Sequence, residues 1–270
     1  MIIDGKAIAE EIYAELAPKY AALARPAKLG IVVVGANAVI ESFVKIKTRS
    51  AERLGIEMMR INVSDKSDAG KIEQAINRLL NAADAVIVQL PLPPHIDTNQ
   101  TLAMVPNEKD VDALNPTIPE EKRLVHAPVA LAAVEILERS GMVIPGSRAV
   151  VVGAGRLVGA PSAWLLRSLG ATVSVFSLEE GSIEDLKEAD IIVSGAGSPG
   201  MIRPEHVKNG VALIDAGTSE LNKRIAGDAD PACAEKCSVF TPVPGGVGPI
   251  AVAMIFKNLF TLLRSPKPRA

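Results

Sequence analysis

Phe43 and Lys47 stand four residues apart in a stretch of helical pattern, so both project from one face. An ammonium beside an aromatic plane suits a flat substrate: the ring stacks while the lysine handles protons. A core phenylalanine beside a surface lysine has the same spacing, and spacing alone favours that second reading. Gln89 closes the apolar run Ala85-Val-Ile-Val88 just before a proline-rich turn. Carboxyl ends of parallel strands are where open α/β sheets bind ligands, although a capped strand end would read the same way. Asp110 and Asp112 flank Val111. If the segment is extended, both carboxylates face one way and line one pocket; a solvated acidic loop is the competing account.

Two glycine-rich stretches offer a different chemistry. Thr241-Pro-Val-Pro-Gly-Gly-Val-Gly-Pro249 holds three prolines and three glycines in nine residues. Such a backbone presents peptide N–H groups and close main-chain approach to a ligand, or else forms a rigid turn into a helix. Residues 148–161 read as a buried strand that turns through Gly153, Gly155 and Gly159 into a helical pattern over 157–169. Glycines there allow a tight turn and let the backbone approach a pyrophosphate, whose charge sits at a helix N-terminus. The spacing Gly-x-Gly-x-x-x-Gly is one residue longer than the common dinucleotide fingerprint, and glycine turns also occur for packing alone. A second strand over 171–176 at the right distance favours a nicotinamide cofactor.

The elements that must position these residues alternate between strand and helix, the pattern of a parallel α/β fold. Residues 7–23 read as an amphipathic helix with Ile8, Ile12, Leu16 and Tyr20 on one face, kinked or ended near Ala17 by Pro18. A strand over 28–35 is followed by a helix from an Asn37 N-cap to Leu54, stopped at Gly55. Next come a strand over 56–63, a helix opened by Ser67, and a strand over 85–90. Residues 106–123, with Pro106, Pro116 and Pro119, read as the crossing between domains. A helix over 129–140 leads to the glycine turn. Strands follow at 171–176, 190–194 and 211–215, with an apolar run at 238–243. Ser182 and Asp185 form a capping-box pattern. An apolar helix over 249–263 ends the fold before a frayed basic tail.

The bulk composition narrows the function classes. A chain of 270 residues with 48% hydrophobic and 22% charged residues has material for one large or two modest domains. A net charge of -2 and 3% aromatics give neither the electrostatic footprint nor the stacking surface of a nucleic-acid binder. Cys233 and Cys237 with the scattered His95, His126 and His206 do not make a metal site, and read as reduced thiols of a cytoplasmic protein. The N-terminus shows no secretory pattern. No run approaches the roughly 20 apolar residues of a membrane span.

Taken together, Ile3-Asp-Gly-Lys6, Val34-Gly35, Lys47, Val88-Gln-Leu-Pro-Leu-Pro93, Glu108-Lys-Asp-Val-Asp112, Val158-Gly159 with Pro161, Ile214-Asp215 with Gly217, Gly227-Asp228 and Thr241 to Pro249 carry a resemblance. The chain resembles the bifunctional methylenetetrahydrofolate dehydrogenase/methenyltetrahydrofolate cyclohydrolases almost end to end. That resemblance implies two parallel-sheet α/β domains with a cleft between them, the second Rossmann-like, in a homodimer formed through the cofactor domain. It implies a folate-binding domain over 1–120, completed by the C-terminal helix at 249–270, and a nicotinamide-cofactor domain over 121–248. It also implies oxidation of methylenetetrahydrofolate followed by hydrolysis to formyltetrahydrofolate. By that likeness Lys47 is the general acid/base, Gln89 tunes it and Asp112 grips the pterin. Phe43, Pro244, Gly245, Gly246 and Val247 would border the folate. The cofactor would meet Gly153, Ala154, Gly155, Arg156, Val158 and Gly159, then Ser177, Gly197 and Thr218.

The departures fall in functional loops. Phe43 stands where the family has a tyrosine, keeping a stacking face without the hydroxyl partner of Lys47; the expected consequence is a weakened cyclohydrolase. Residues 36–40 replace an Asp-Asp-Pro-Ala-Ser run, the Pro-Cys-Thr-Pro turn is missing from 127–130, and Ala251 replaces a threonine. Ala154 removes an arginine that commonly holds a 2′-phosphate, and Glu179 and Glu180 follow Phe176-Ser177-Leu178. Family habit says NADP, whereas these local residues lean towards NAD because carboxylates repel a phosphate. The alternative to a working folate enzyme is a paralogue acting on another reduced pterin, or a catalytically impaired binding or regulatory protein.

Overall fold

The structure is a computed structural model that describes residues 1–35, 38–177, 181–221 and 224–265. The Asn37 cap, Glu179, Glu180 and most of the basic tail lie outside the described residues. The chain forms two compact units, Glu11–His126 with Ile255–Ala270 and Met1–Glu10 with Ala127–Met254. Both contain a parallel sheet flanked by helices, so the fold is the expected pair of parallel α/β domains.

The smaller sheet has three strands in the order β2-β1-β3, with β1 at Lys28–Val34, β2 at Glu57–Val63 and β3 at Ala85–Gln89. Helices α1 (Gly5–Ala21), α2 (Ala38–Arg53), α3 (Ala69–Ala82) and the short α4 (Thr98–Ala103) accompany it. Near-continuous apolar runs make β1 and β3 fully sheltered strands. Val32, Val34, Val86 and Val88 pack with Ile72, Ile76 and Leu79 of α3. The register sets Val33 beside Gln89, which places the glutamine at the carboxyl end of β3.

Two local expectations are corrected. Pro18 does not end α1 at Ala17; the helix continues to Ala21 with Pro18 on the solvent side. A proline there forfeits one backbone hydrogen bond, and the buried Ile12, Leu16 and Tyr20 hold the helix in place. The N-cap of α3 is Asp68, whose side chain accepts from the N–H of Lys71, and not Ser67.

The larger sheet runs β10-β7-β6-β4-β5, all parallel. Its strands are β4 (Arg148–Val152), β5 (Thr172–Phe176), β6 (Ile191–Ser194), β7 (Ala212–Asp215) and β10 (Val239–Phe240). Helices α5 (Pro128–Arg139) and α6 (Gly159–Ser168) belong with it. An antiparallel pair that the sequence pattern does not reveal, β8 (Ser219–Leu221) and β9 (Arg224–Ala226), has only three residues per strand. The apolar run at 238–243 pairs only through Val239 and Phe240, since the prolines beyond it cannot donate to a ladder. The Ser182–Asp185 capping box is present, on a short 3-10 helix.

The unit boundaries differ from the expected 1–120 and 121–248. Residues 1–10 join the five-stranded unit because Ile3 N–H donates to Phe240 O (2.8 Å), Phe240 N–H to Met1 O (2.9 Å) and Gly5 N–H to Gly245 O (3.0 Å). The helix α7 (Val247–Arg264) is divided, its first turns with the five-stranded unit and the rest with the three-stranded one. By length and composition α7 could cross a membrane, contrary to the expectation that no run approaches a span. Its apolar side chains serve the interior instead: Ile250, Ala253, Phe256 and Leu259 have no exposed surface.

Candidate active site

Lys47 lies three turns into α2, and its Nζ donates to Gln89 Oε1 at 3.0 Å. The glutamine is buried, and its Nε2 donates to Leu90 O at 2.7 Å, which aims the carbonyl oxygen at the lysine. By exposure Lys47 is only half-buried, yet the groups around its head desolvate the ammonium and push its pKa down; the negative charge of Asp112 opposes this. Asp112 shows the mirror image: desolvation raises its carboxyl and Lys47 lowers it. Burial therefore favours the neutral forms of both groups, and their mutual attraction favours the charged forms. A lysine in this setting gives up its proton more readily than an exposed one.

The structure shows neither the extended run that would set Asp110 and Asp112 along one pocket nor a solvated acidic loop, since the segment turns and Asp110 is buried. Asp110 bridges to Val86, after which the chain turns, and Ala113 takes a left-handed φ of 55°. Such a φ costs a residue other than glycine roughly 1–2 kcal/mol. Asp112 interacts with Lys47, whereas Asp110 is buried and accepts from Asn115 N–H at 2.7 Å. Arg123 Nη1 lies 3.9 Å from Asp110 and Arg123 Nε 3.0 Å from Glu120. Burial raises the Asp110 carboxyl to about 6, helped by Asp112 and opposed by Asn115 and Arg123.

Sequence reasoning missed the residue that ties this turn to the last helix. Asn258, buried in α7, donates through Nδ2 to Val111 O and to His126 O, both at 2.8 Å. An asparagine inside an apolar helix was the available signal. Asn258→Leu keeps the number and branching of the side-chain heavy atoms and strips both carbonyls of their donor. It is expected to destabilise the three-stranded unit by about 2–4 kcal/mol, read as a lower urea midpoint.

Phe43 is 44% exposed, so it is not the core phenylalanine that spacing favoured. It leaves a ring face available one turn before Lys47. Pro244 to Val247 lie in the five-stranded unit, and much of their composition has an intramolecular cause. A Cβ on Gly246 would sit 2.7 Å from Pro242 O, and a Cβ on Gly5 would sit 1.7 Å from Gly246 O. The rigid-turn account of this stretch thereby gains support.

In the five-stranded sheet, the chain leaves β4 for β5 on one side and returns to β6 on the other. The crevice outside the carboxyl ends of β4 and β6 is thus the topological switch point, where open α/β sheets take ligands. Gly153 turns there at a φ of 94°, and a Cβ on it would lie 2.9 Å from Gly195 O. A Cβ on Gly159 would lie 1.8 Å from Gly153 O, so only glycine allows α6 to start this close to the turn. Gly155 has nothing within 4 Å of such an atom and is open to the outside. Ala154, Gly155 and Arg156 are exposed, with Val158 and Ser177 half-buried beside them. Gly197, exposed, lies in the loop after β6; its carbonyl accepts from Ser219 Oγ at 2.9 Å, and the adjacent Thr218 is exposed. This glycine cradle at a switch point fits a dinucleotide.

Known proteins also match in two parts that meet between residues 112 and 127. Residues 3–112 match the catalytic domain, and residues 127–266 the NAD(P)-binding domain, of tetrahydrofolate dehydrogenase/cyclohydrolases. The bifunctional protein FolD of Halothermothrix orenii is 36% identical over 95% of both chains. Among solved structures, the bifunctional FolD of Campylobacter jejuni superimposes with a TM-score of 0.92 at 31% identity, covering 97% of this chain and 98% of its own. The Trypanosoma brucei FolD, solved with NADP and an inhibitor, gives 0.91 at 34% identity, covering 98% and 99%. With both halves of the sequence matched and the likeness sustained along nearly its full length, this chain belongs to the tetrahydrofolate dehydrogenase/cyclohydrolase family.

Proposed function

We propose that the chain oxidises methylenetetrahydrofolate to methenyltetrahydrofolate with a nicotinamide cofactor and hydrolyses the product to formyltetrahydrofolate. The observation that carries the reading is the Lys47–Gln89 hydrogen bond with Asp112 acting on the same ammonium. A bound nicotinamide supplies the hydride acceptor for the methylene carbon. The chain's own residues do the proton work. Lys47, whose ammonium form desolvation disfavours, takes a proton from the water that adds to the methenyl carbon. It then returns that proton to the ring nitrogen as the carbon–nitrogen bond opens. Gln89 fixes the direction of Nζ, Asp112 holds the pterin and tempers the lysine, and Phe43 offers a stacking face.

In this reading the three-stranded unit handles the folate and the five-stranded unit holds the cofactor. Kinship supports NADP, as in the Trypanosoma brucei relative. Ala154 and the acidic pair Glu179 and Glu180 reduce the advantage of a 2′-phosphate. A charge-assisted hydrogen bond contributes about 1.5–3 kcal/mol, so losing one is expected to narrow the preference for NADP over NAD to within about tenfold. The proposal extends to a homodimer in the cytoplasm, supported by kinship and by two buried cysteines that form no disulfide. Purified protein with methylenetetrahydrofolate and each of NADP and NAD tests the reading. Reduction of both, followed by formyltetrahydrofolate, is expected; reduction of neither would refute it.

A further inference from the structure

Two buried carboxylates of the five-stranded unit, Asp215 and Asp228, take no part in the chemistry above. Asp228 has no exposed surface, and three donors converge on it. Its Oδ2 accepts from Ser194 Oγ at 2.6 Å and from Ala196 N–H at 2.7 Å, and its Oδ1 accepts from Ser198 N–H at 2.7 Å. All three donors lie at the end of β6 or in the loop that follows it. Asp215, at the end of β7, accepts from Gly217 N–H (2.9 Å) and from Ala229 N–H (2.8 Å), the residue next to Asp228. The two aspartates thus cross-brace the carboxyl ends of β6 and β7.

Glycines make this brace possible. A Cβ on Gly217 would lie 2.4 Å from Asp228 Cγ, and one on Gly227 would lie 2.2 Å from Asp215 Oδ2. The braced loop also packs directly on the glycine turn, since a Cβ on Gly195 would lie 2.4 Å from Val158 Cγ1. Movement of residues 195–198 is therefore felt at Gly153, at the switch point of the sheet.

We propose that Asp228 is the positioning residue of the cofactor site: its carboxylate locks the loop after β6 against the glycine turn. The inference rests on the proposed function and adds a residue to it that need not touch the cofactor. A carboxylate can satisfy all three donors through two oxygens. An asparagine has one acceptor oxygen and turns an N–H towards an N–H, so the loop must shift or leave a buried donor unpaired.

The test is calorimetric binding of NADP and NAD to the whole wild-type chain and to Asp228→Asn. The variant is expected to bind both cofactors about tenfold more weakly, with methenyl hydrolysis, which uses no cofactor, within about twofold of wild type. Asp228→Asn binding as tightly as wild type would overturn the inference. So would an equal loss in both readouts, which would mark a general structural role. If wild type itself binds neither cofactor, the functional reading fails first and takes this one with it. Should Asp228→Asn not fold, Ser194→Ala removes a single donor and carries the test. A dissociation constant raised about threefold supports the brace, and an unchanged one refutes it.

Discussion

Replacing Lys47 by alanine is expected to lower methenyltetrahydrofolate hydrolysis by roughly 10²–10⁴-fold, the contribution of one positioned general acid/base. The fold should persist. Lys47 is half-buried on a regular helix, alanine is the best helix former, and the variant removes an ammonium whose burial is unfavourable. Gln89 keeps its anchor on Leu90 O, so the site loses the amine without losing its wall. Hydrolysis of preformed methenyl substrate, alongside far-ultraviolet circular dichroism, is the check. An undiminished rate in a folded variant would remove Lys47 from the mechanism.

Gly159→Ala should produce the complementary loss. The added Cβ would meet Gly153 O at 1.8 Å and Gly153 C at 2.6 Å, and both are main-chain atoms that no rotamer change can move. The turn must open, at a cost of about 1–3 kcal/mol or more. Cofactor binding is therefore expected to weaken by roughly 10–100-fold, with methenyl hydrolysis much less affected. Gly155→Ala provides the contrast, because the same atom there meets nothing within 4 Å. Calorimetry on both variants decides: equal effects at 155 and 159 would mean that the turn's close packing is irrelevant to the cofactor. Two glycines that look equivalent in a sequence pattern thus carry different physical loads.

The strands were legible because their chemistry is local. The apolar runs of β1, β3 and β4 have the composition of strands sheltered on both faces, and the Ser182–Asp185 pair announces its own turn. The site was legible through kinship more than through spacing. Lys47 and Gln89 meet only because α2 and β3 are brought together by the sheet, a long-range fact that no periodicity encodes. What stayed hidden was decided by tertiary packing. Pro18 is tolerated because its helix is anchored on the other face, and residues 1–5 join the five-stranded unit through backbone hydrogen bonds that carry no side-chain signature. Asp110 and Asp112 do not share an extended run because the chain turns at Val111 and Asp112, directly after the Asp110 bridge to Val86, where composition predicts nothing unusual.

The most direct measurement is the pH dependence of methenyl hydrolysis for wild type and Lys47→Ala. A proton-accepting amine works when neutral, so activity should rise with pH through the lysine's own titration. Desolvation lowers that titration from the ordinary 10.5, with Asp112 holding it back only in part. The expected result is a rising limb with its midpoint below 10.5 that disappears in Lys47→Ala. A midpoint at or above that value, or superimposable profiles for the two proteins, would contradict the assignment of Lys47 as the group that moves the proton.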